Sequence, residues 1–392
     1  MINLPAQRKK LHVALVYNQK KEDVTNQSLT EDSENPSKLT GNFYPRVSNF
    51  FSENKNYNQA VDLYAEWDTF ETIDAVRKAL EEHHNVSLVE ADQDAYIKLK
   101  QLQPDIVFNI AEGLHGVSRE AQIPAMLEML NIPYTGSDPL TLAICLDKSR
   151  AKEIMSYYNI PTPEFWVISR KEELRDITPI LPAIVKPLHE GSSKGIFNTS
   201  IVRDREGLER EVNNVLSRYN EPVLIEEYLP GREFTVAILG NEEDLTVLPI
   251  VEIKFETLPP DVNPIYSYEA KWIWDRAENP LEIFSCPAKL TEQLKTKIEQ
   301  TCRKAYKILR CRDWCRIDVR LNKDGQPNII ELNPLPGILP NPEDNSCFPK
   351  AARAAGLNYN QLIQTVLLLA AQRTGILTDS YSLPKIFSGV NV

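Results

Sequence analysis

The sequence predicts an α/β protein whose first third forms an open parallel sheet. Short apolar runs at residues 11–17, 86–89 and 106–109 alternate with segments of helical spacing at 67–82 and 95–102. Apolar runs of this length are typical of buried parallel strands, and helices between them cover the faces of one sheet. Ligands of such sheets bind at the carboxyl ends of the strands, so the polar loops there are candidate sites.

Between the first strand and the first helix, residues 18–66 form a polar, turn-rich stretch that we interpret as an insertion. Loops of this length inside a compact domain are uncommon and are often functional. The helix after the insertion can begin at a cap on Asp68 or Thr69, and another helix is predicted at 122–130. The loop at 109–116 follows a strand end, where it is either a binding site or a turn.

The bulk composition restricts the class of protein. A chain of 392 residues, with 42% hydrophobic and 25% charged residues, can form two or three domains of ordinary globular type. The net charge of −11 argues against nucleic acid or an anionic membrane as the main partner. We find no signal-peptide core at the start, and the longest apolar run, at 366–371, is too short to span a bilayer. We therefore expect a cytoplasmic protein with no nucleic-acid or membrane partner.

The cysteines do not indicate a metal centre. The six residues are scattered, and although Cys311 and Cys315 are four apart, neither a second pair nor a histidine cluster accompanies them. We expect reduced thiols and no zinc site.

After Asp147 the pattern changes. A helix is predicted at 148–158, and a β-run at 182–187 leads into the small polar residues 191–194, Gly-Ser-Ser-Lys. Backbone amides, two hydroxyls and a lysine can surround phosphate oxygens. The run lacks the Gly-Lys-Ser/Thr of a Walker loop, and no helix begins there. It is therefore either a phosphate-binding hairpin or simply a polar hairpin tip.

Residues 316–333 carry the strongest hairpin signal of the chain. Asp324-Gly325 lies between two runs in which polar and apolar residues alternate. A two-residue turn at this dipeptide pairs Lys323 with Gln326. That register places Asp318 opposite Glu331 and Arg316 opposite Asn333.

The predicted register gives the hairpin one polar and one apolar face. Arg316, Asp318, Glu331 and Asn333 share the first face, because side chains alternate along a strand. The second face carries Ile317, Val319, Ile330 and Leu332. Two carboxylates opposite each other repel, unless a divalent cation such as Mg²⁺ or Mn²⁺ lies between them. The alternative is an exposed hairpin with a solvated polar face.

Two further stretches suggest contact with a ligand. Strands are predicted at 223–229 and 233–239, on either side of a Pro-Gly turn. Glu233 begins an apolar strand with no lysine beside it, so we expect it to form a hydrogen bond with a polar group. Residues 266–274 are rich in aromatic side chains around one lysine, which fits either a lid or a loop that packs on the core.

Together these elements resemble the ATP-grasp fold, and the match is closest to D-alanine–D-alanine ligases. The resemblance covers about residue 91 to the C-terminus. The motifs that carry it are Tyr134-Thr135-Gly136-Ser137, Asp147-Lys148, Val185-Lys186-Pro187, Glu190-Gly191-Ser192-Ser193, Glu233-Phe234-Thr235-Val236, Tyr268-Glu269-Ala270-Lys271, Arg316-Ile317-Asp318-Val319 and Glu331-Leu332-Asn333. The resemblance implies an N-terminal preATP-grasp domain at 1–146, followed by two ATP-grasp lobes at 147–225 and 226–392.

The resemblance also implies an activity, an ADP-forming ligase that joins a carboxylate to an amine through an acyl-phosphate. Its cofactors would be ATP and two Mg²⁺ ions, with Mn²⁺ as a possible substitute, its substrates small molecules, and its assembly a homodimer. The implied ATP-binding residues are Lys148, Lys186, Ser192, Ser193, Glu226, Glu227, Leu229 and Glu233. The implied metal ligands are Asp318, Glu331 and Asn333, and the implied catalytic residues are Arg316, Lys271 and Ser192. Ser346 matches the serine that holds the carboxylate of the second amino acid.

The substrate half departs from the family pattern. The Gly-rich loop with its ammonium-binding glutamate is absent after the first strand, and Glu66 or Asp68 is the candidate replacement. The family's His-Gly loop is rewritten around His115, and Trp272 stands where the family has a lid tyrosine. We therefore expect a ligase of the family with a different or broader carboxylate substrate.

Two alternatives stay open. One is a true D-alanine–D-alanine ligase of cell-wall synthesis, and the other is a nucleotide-binding ATP-grasp protein that has lost its chemistry. The complete set of Arg316, Asp318, Glu331 and Asn333 argues against the second alternative.

Overall fold

The computed structural model describes residues 10–20, 66–274 and 281–377. The predicted insertion at 18–66 lies outside these residues except at its two ends. Among the described residues, no helix combines the length and the apolar composition that crossing a membrane requires.

The first third of the chain forms the parallel sheet that its sequence predicts. Strands β1 (His12–Tyr17), β2 (Asn85–Glu90) and β3 (Ile106–Asn109) are parallel, in the order β2-β1-β3. The helices of this part are α1 (Phe70–Glu81), α2 (Ala95–Leu102), α3 (Gln122–Leu130) and α4 (Pro139–Leu146). Thr69 caps α1, because its hydroxyl oxygen accepts the backbone N–H of Thr72 at 3.4 Å.

The middle of the chain forms a four-stranded antiparallel sheet. Its strands are β4 (Phe165–Ile168), β5 (Ala183–Pro187), β6 (Ile201–Val202) and β7 (Val223–Glu227), in the order β4-β7-β5-β6. Helix α5 (Lys148–Tyr157) precedes this sheet, and α6 (Arg205–Tyr219) packs on it. The predicted hairpin around the Gly/Ser run is therefore a wide one, since β5 pairs with β6 across residues 188–200.

The last part forms a six-stranded antiparallel sheet. Its strands are β8 (Glu233–Asn241), β9 (Asp244–Val247), β10 (Val251–Ile253), β11 (Phe284–Ser285), β12 (Trp314–Leu321) and β13 (Pro327–Asn333). The helices are α7 (Glu292–Ile308), α8 (Cys347–Ala354) and α9 (Tyr359–Arg373). β7 and β8 lie on either side of the Pro-Gly turn, but they belong to different sheets, so that turn joins two layers.

The turn of the β12–β13 hairpin differs from the prediction. Lys323 does not pair with Gln326. Instead Leu321 pairs with Pro327, and the N–H of Asn322 donates to the carbonyl of Gln326 at 2.9 Å. The register then shifts by one residue beyond Val319, and this bulge restores the expected pairing at Asp318.

The bulge changes which isoleucine is buried. Ile329 pairs with Val319 and is 0% exposed in the core beneath the hairpin. Ile330, expected on that apolar face, instead lines a cavity on the opposite side. The prediction for Ile330 was wrong because one extra residue between the paired positions reverses the side to which the following side chain points.

One hydrophobic core joins the first and last parts of the chain. It contains Leu15 of β1, Ile73 of α1, Leu239 of β8 and Leu367 of α9. The side chain of Gln364 also donates to the carbonyl of Ala79 at 2.6 Å. The predicted domains 1–146 and 226–392 therefore share buried surface, and the predicted boundary at 225–226 falls inside β7. The division into domains stays a prediction.

We expect Ile329→Ala to destabilise the protein by about 2–5 kcal/mol, because a fully buried methyl-bearing side chain leaves a cavity. Ile330→Ala is the matched control in the same strand, and its cost should be clearly smaller, because that side chain faces a cavity. Urea unfolding followed by circular dichroism measures both free energies of unfolding. Equal costs, or a larger cost for Ile330→Ala, would contradict the observed bulge.

Candidate active site

A cavity of about 270 Å³ lies between the four-stranded and six-stranded sheets. Most of the predicted site residues line it: Glu66, Asp68, Lys186, Ser192, Ser193, Glu226, Glu227, Leu229, Glu233, Lys271, Trp272, Arg316, Asp318, Glu331 and Ser346. A second cavity, of about 100 Å³, contains Lys148 and Asn333 in its wall. The two cavities share the predicted catalytic residues Ser192, Lys271 and Arg316 and the predicted metal ligand Glu331.

The centre of the site is the polar face of the β12–β13 hairpin. Asp318 pairs with Glu331, and Arg316 pairs with Asn333. The guanidinium of Arg316 donates to both oxygens of Asp318, at 3.1 and 2.9 Å, and lies 3.7 Å from Glu331. The amide of Asn333 lies 3.4 Å from Asp318. The predicted arrangement of these four side chains is confirmed, although the turn that produces it is different.

The pKa values of Asp318 and Glu331 are shifted in opposite directions. Burial raises the pKa of Asp318. Burial acts in the same direction on Glu331, but Lys148, Lys186 and Arg316 outweigh it and lower the pKa of that group. Glu331 therefore holds its negative charge firmly.

The predicted phosphate lysines are already engaged with the protein. Lys186 of β5 forms an ion pair with Glu226 of β7, which also pairs with Lys152 of α5 at 2.5 Å. Lys148, at the first position of α5, donates to the carbonyl of Glu190 at 2.6 Å and lies 3.8 Å from Glu331. The Glu226 carboxylate is buried between two lysines, so its side chain orients Lys186 within the cavity.

The Gly/Ser loop and the aromatic stretch form one cover over the cavity. The indole N–H of Trp272 donates to the carbonyl of Ser192 at 3.1 Å, and the hydroxyl of Ser193 donates to the carbonyl of Tyr266 at 2.8 Å. Residues Glu269–Trp274 form a short π-helical turn that carries Lys271. Burial lowers the pKa of Lys271 to about 8, and Arg316 adds to that effect.

Glu233 forms the hydrogen bond that its position predicts. Its carboxylate accepts from Arg320 at 2.7 Å. Arg320 also donates to the Tyr228 hydroxyl at 2.9 Å, and its guanidinium lies over the rings of Tyr228 and Phe255. Arg320 was not among the predicted site residues, although strand alternation places it on the same face as Arg316 and Asp318.

The substrate candidates occupy different surroundings. Glu66 accepts hydrogen bonds from Arg119 and from the backbone of Gly191. The carboxylate of Asp68 makes no hydrogen bond or ion pair with the described residues, and burial raises its pKa to about 7. His115 is exposed and lines neither cavity, so the structure does not bring it together with the other candidates.

Two glutamates that the sequence analysis did not select line the second cavity. Glu112 and Glu120 follow β3, at the carboxyl edge of the parallel sheet. Burial raises the pKa of Glu112, and it raises that of Glu120 to about 7. The loop at 109–116 was a candidate site, but nothing in its residue pattern indicated that its one carboxylate, Glu112, faces inward, and Glu120 lies beyond the loop.

Ser346 lines the first cavity but not the second. It precedes α8, and its hydroxyl donates to the carbonyl of Gly337 and accepts the N–H of Leu339, both at 3.2 Å. These contacts fix the hydroxyl beside the loop that follows Asn333.

Asp318, Glu331 and Asn333 offer the hard oxygen donors that Mg²⁺ and Mn²⁺ bind. Among the described residues, no cluster of three His, Cys, Asp or Glu side chains is arranged to hold a metal. The candidate set fits a cation of that class because it combines two carboxylates with an amide, and because phosphate oxygens can complete the shell.

A histidine with two carboxylate neighbours lies two residues after β5. The ring of His189 lies 3.1 Å from Glu221 and 3.6 Å from Asp147, the residue that caps α5. Burial opposes the charged form, but these two carboxylates outweigh it and raise the pKa of His189 to about 9.

Comparisons with known proteins agree with this geometry. The family model described as D-ala D-ala ligase C-terminus matches residues 154–368. The chain belongs to the D-alanine–D-alanine ligase family. The D-alanine–D-alanine ligase of Pelotomaculum thermopropionicum is 31% identical over 319 residues, which cover 79% of this chain and 93% of that protein. Protein y4sG of Sinorhizobium fredii is 35% identical over 316 residues, covering 78% and 89%.

A solved structure supports the fold. D-alanine–D-alanine ligase from Bacillus anthracis, complexed with ATP, superposes with a TM-score of 0.64 at 20% identity, covering 93% of this chain and 99% of that one. The predicted family and ATP-grasp fold are confirmed, and so is the prediction of an ATP-dependent, ADP-forming amide ligase.

Replacement of His189 by Gln should destabilise the protein in a pH-dependent way. The folded pKa of about 9 exceeds the ordinary value near 6.5, so the stabilisation is complete below about pH 6.5 and is lost as the pH rises through 9. Urea unfolding at pH 6, 7.5 and 9 measures the difference from wild type, with exposed His83→Gln as the matched control. A difference that stays constant or grows with pH would contradict the ion pairs.

Proposed function

We propose that the protein phosphorylates the carboxylate of an amino acid with ATP and then joins the acyl group to the amine of a second molecule. The observation that carries this proposal is the meeting of the two cavities at Arg316, Lys271 and Glu331. The first cavity has Lys186 and the Gly/Ser loop, which suit a nucleoside triphosphate, and Lys148 lies in the wall of the second cavity. The second cavity has space for a small acid next to the same residues.

The residues that line the cavities have different proposed roles. Lys148 and Lys186 bind phosphate oxygens, while Glu227, Leu229 and Glu233 line the part of the cavity left for the nucleoside. Arg316 stabilises negative charge as the carboxylate oxygen attacks the γ-phosphate and ADP leaves.

In the second step no protein side chain forms or breaks a covalent bond. The amine attacks the acyl carbon, the carbon–oxygen bond to phosphate breaks, and the departing phosphate takes up the proton that the amine loses as the amide forms. The cover that contains Lys271 and Trp272 keeps water from the acyl-phosphate until the amine arrives. The protein therefore acts mainly by positioning and by charge neutralisation.

We propose Asp318, Glu331 and Asn333 as the residues that hold Mg²⁺. When bound, the cation would neutralise phosphate charge. Arg316 donates to both carboxylate oxygens of Asp318, so this carboxylate would be shared between the guanidinium and the metal.

For the acid substrate we propose an amino acid whose ammonium group lies near Asp68. The carboxylate of Glu66 already accepts three hydrogen bonds, whereas the carboxylate of Asp68 accepts none from the described residues. Ser346 is proposed to hold the carboxylate of the second substrate. Several relatives are named D-alanine–D-alanine ligases, so D-alanine in both positions is the second candidate. The homodimer and the cytoplasmic location stay predictions.

The substrate requirement gives a direct test. ADP and phosphate should accumulate only when an acid and an amine are both supplied, because the acyl-phosphate is consumed by the amine. A screen of paired amino acids and dipeptides, including D-alanine with itself, measures ADP release and amide formation by mass spectrometry. Steady release of AMP and pyrophosphate would rule out the proposed chemistry.

The metal assignment can be tested in the same assay. Asp318→Asn should lower kcat by at least about a hundredfold, because the residue loses its charge beside the transferred phosphoryl group. Asp324→Asn removes a carboxylate from the exposed tip of the same hairpin and should leave the rate unchanged. An Asp318→Asn enzyme with the wild-type rate would remove Asp318 from the site.

A further inference from the structure

Glu66, the last residue of the predicted insertion, contacts the Gly/Ser loop that covers the first cavity. One carboxylate oxygen of Glu66 accepts the backbone N–H of Gly191 at 2.8 Å. Both carboxylate oxygens accept hydrogen bonds from a guanidinium nitrogen of Arg119, at 2.7 and 2.8 Å. The Glu66 side chain is 9% exposed and that of Arg119 is 7% exposed, so the pair is shielded from water.

Arg119 also contacts the same loop directly. It lies at the start of a short 3-10 helix, Arg119–Ala121, in the segment that follows β3. Its guanidinium donates to the carbonyl of His189 at 2.9 Å and lies 3.4 Å from the carboxylate of Glu190. The N-terminal part of the chain therefore touches three consecutive residues of the loop, two through Arg119 and one through Glu66.

The approach of Glu66 to Gly191 is too close for a side chain at position 191. A Cβ atom on Gly191 would lie 2.5 Å from the carboxylate oxygen of Glu66. The glycine thus allows the backbone N–H to meet the carboxylate.

These contacts extend to the groups that act on ATP. The carbonyl of Glu190 accepts from Lys148, one of the proposed phosphate lysines. The residue after Gly191 is Ser192, whose carbonyl accepts the indole N–H of Trp272 in the lid. Glu66 and Arg119 therefore hold the loop in place, and the loop in turn contacts Lys148 and Trp272 of the cover.

We propose that Glu66 and Arg119 form a latch that keeps the loop at residues 189–193 closed over the site while the acyl-phosphate exists. Both are positioning residues, and neither contacts the reacting atoms. The latch assigns Glu66 to the loop rather than to the ammonium group of a substrate. The part of this inference that concerns the acyl-phosphate rests on the proposed ligase activity, whereas loop closure does not.

Opening of the latch has a defined chemical consequence. Water that enters attacks the acyl-phosphate, the bond between the acyl group and phosphate breaks, and the starting carboxylate and inorganic phosphate are released. ATP is then consumed without amide formation. The ratio of phosphate released to amide formed measures this loss, and a purely structural defect that lowers both rates together would not change the ratio.

The test compares variants that remove different parts of the latch. Glu66→Ala and Arg119→Ala should each raise the KM for ATP by about tenfold or more, since a buried charge-assisted contact is lost, and raise the phosphate-to-amide ratio above that of wild type. Glu66→Gln keeps an acceptor for Gly191 and should fall between wild type and Glu66→Ala. The double Ala variant should be no worse than the poorer single variant, because the two residues act as a unit.

A second measurement does not depend on catalysis. Hydrogen–deuterium exchange of the peptide that contains residues 189–193 should be slow in wild type and at least about tenfold faster in Glu66→Ala and Arg119→Ala. Glu81→Gln is the matched control, because Glu81 forms an exposed ion pair with Arg77 on α1. It should change neither the exchange rate of the loop nor the phosphate-to-amide ratio. Circular dichroism verifies that each variant is folded, and Arg119→Lys, which keeps the charge, provides a milder variant.

The outcomes separate the two proposals. Unchanged exchange in the loop of folded Glu66→Ala and Arg119→Ala would overturn the latch, whatever the activity. Faster exchange with an unchanged phosphate-to-amide ratio would overturn its role in protecting the acyl-phosphate. A wild-type protein that releases no ADP with any acid and amine would instead refute the proposed function, while the exchange result would still decide loop closure.

Discussion

The opposition of Asp318 and Glu331 across β12 and β13 is the constraint on which the rest of the site depends. Like charges on paired strands repel, so this register persists only because other interactions fix it. The apolar residues Ile317 and Leu332 on the reverse face are buried, and a slip by one residue would expose them. Arg316 then offsets the negative charge from the same face. The site therefore contains electrostatic repulsion that a divalent cation would relieve, in addition to Lys148, which lies 3.8 Å from Glu331.

The same register shows how far sequence reasoning extends. Alternation of polar and apolar residues correctly placed four side chains on one face, because that pattern reflects which face is buried. The turn was wrong, and with it Ile330, because the position of a bulge depends on strands from elsewhere in the chain. β12 is held on its other edge by β8, where Asp318 pairs with Thr235. No local pattern in residues 316–333 carries information about that neighbour.

The residues proposed to bind phosphate and those near the proposed substrate also differ in how far the sequence alone identifies them. Lys186 was predicted as a phosphate lysine because the motif Val185-Lys186-Pro187 resembles that of the family. Glu66 and Arg119 are 53 positions apart and belong to segments with no common pattern, so their ion pair follows only from the fold. Glu112 and Glu120 were missed for a related reason, since an acidic loop residue resembles any solvated carboxylate until its neighbours are known. Family motifs predict the groups that bind ATP, whereas the residues that line the second cavity become apparent only in the folded structure.

A buried ion pair such as Glu66–Arg119 is a weak way to stabilise a fold, because desolvation of both charges offsets most of their attraction. Its location suggests a different advantage. A hydrophobic contact of the same size would tolerate small displacements of the loop, but a carboxylate that accepts from both a guanidinium and a backbone N–H has one geometry that satisfies all its partners. Any partial opening leaves a shielded charge without its partner, so intermediate loop positions are costly. If the proposed latch operates, the loop is either closed or well open, as a site requires that admits ATP and afterwards excludes water.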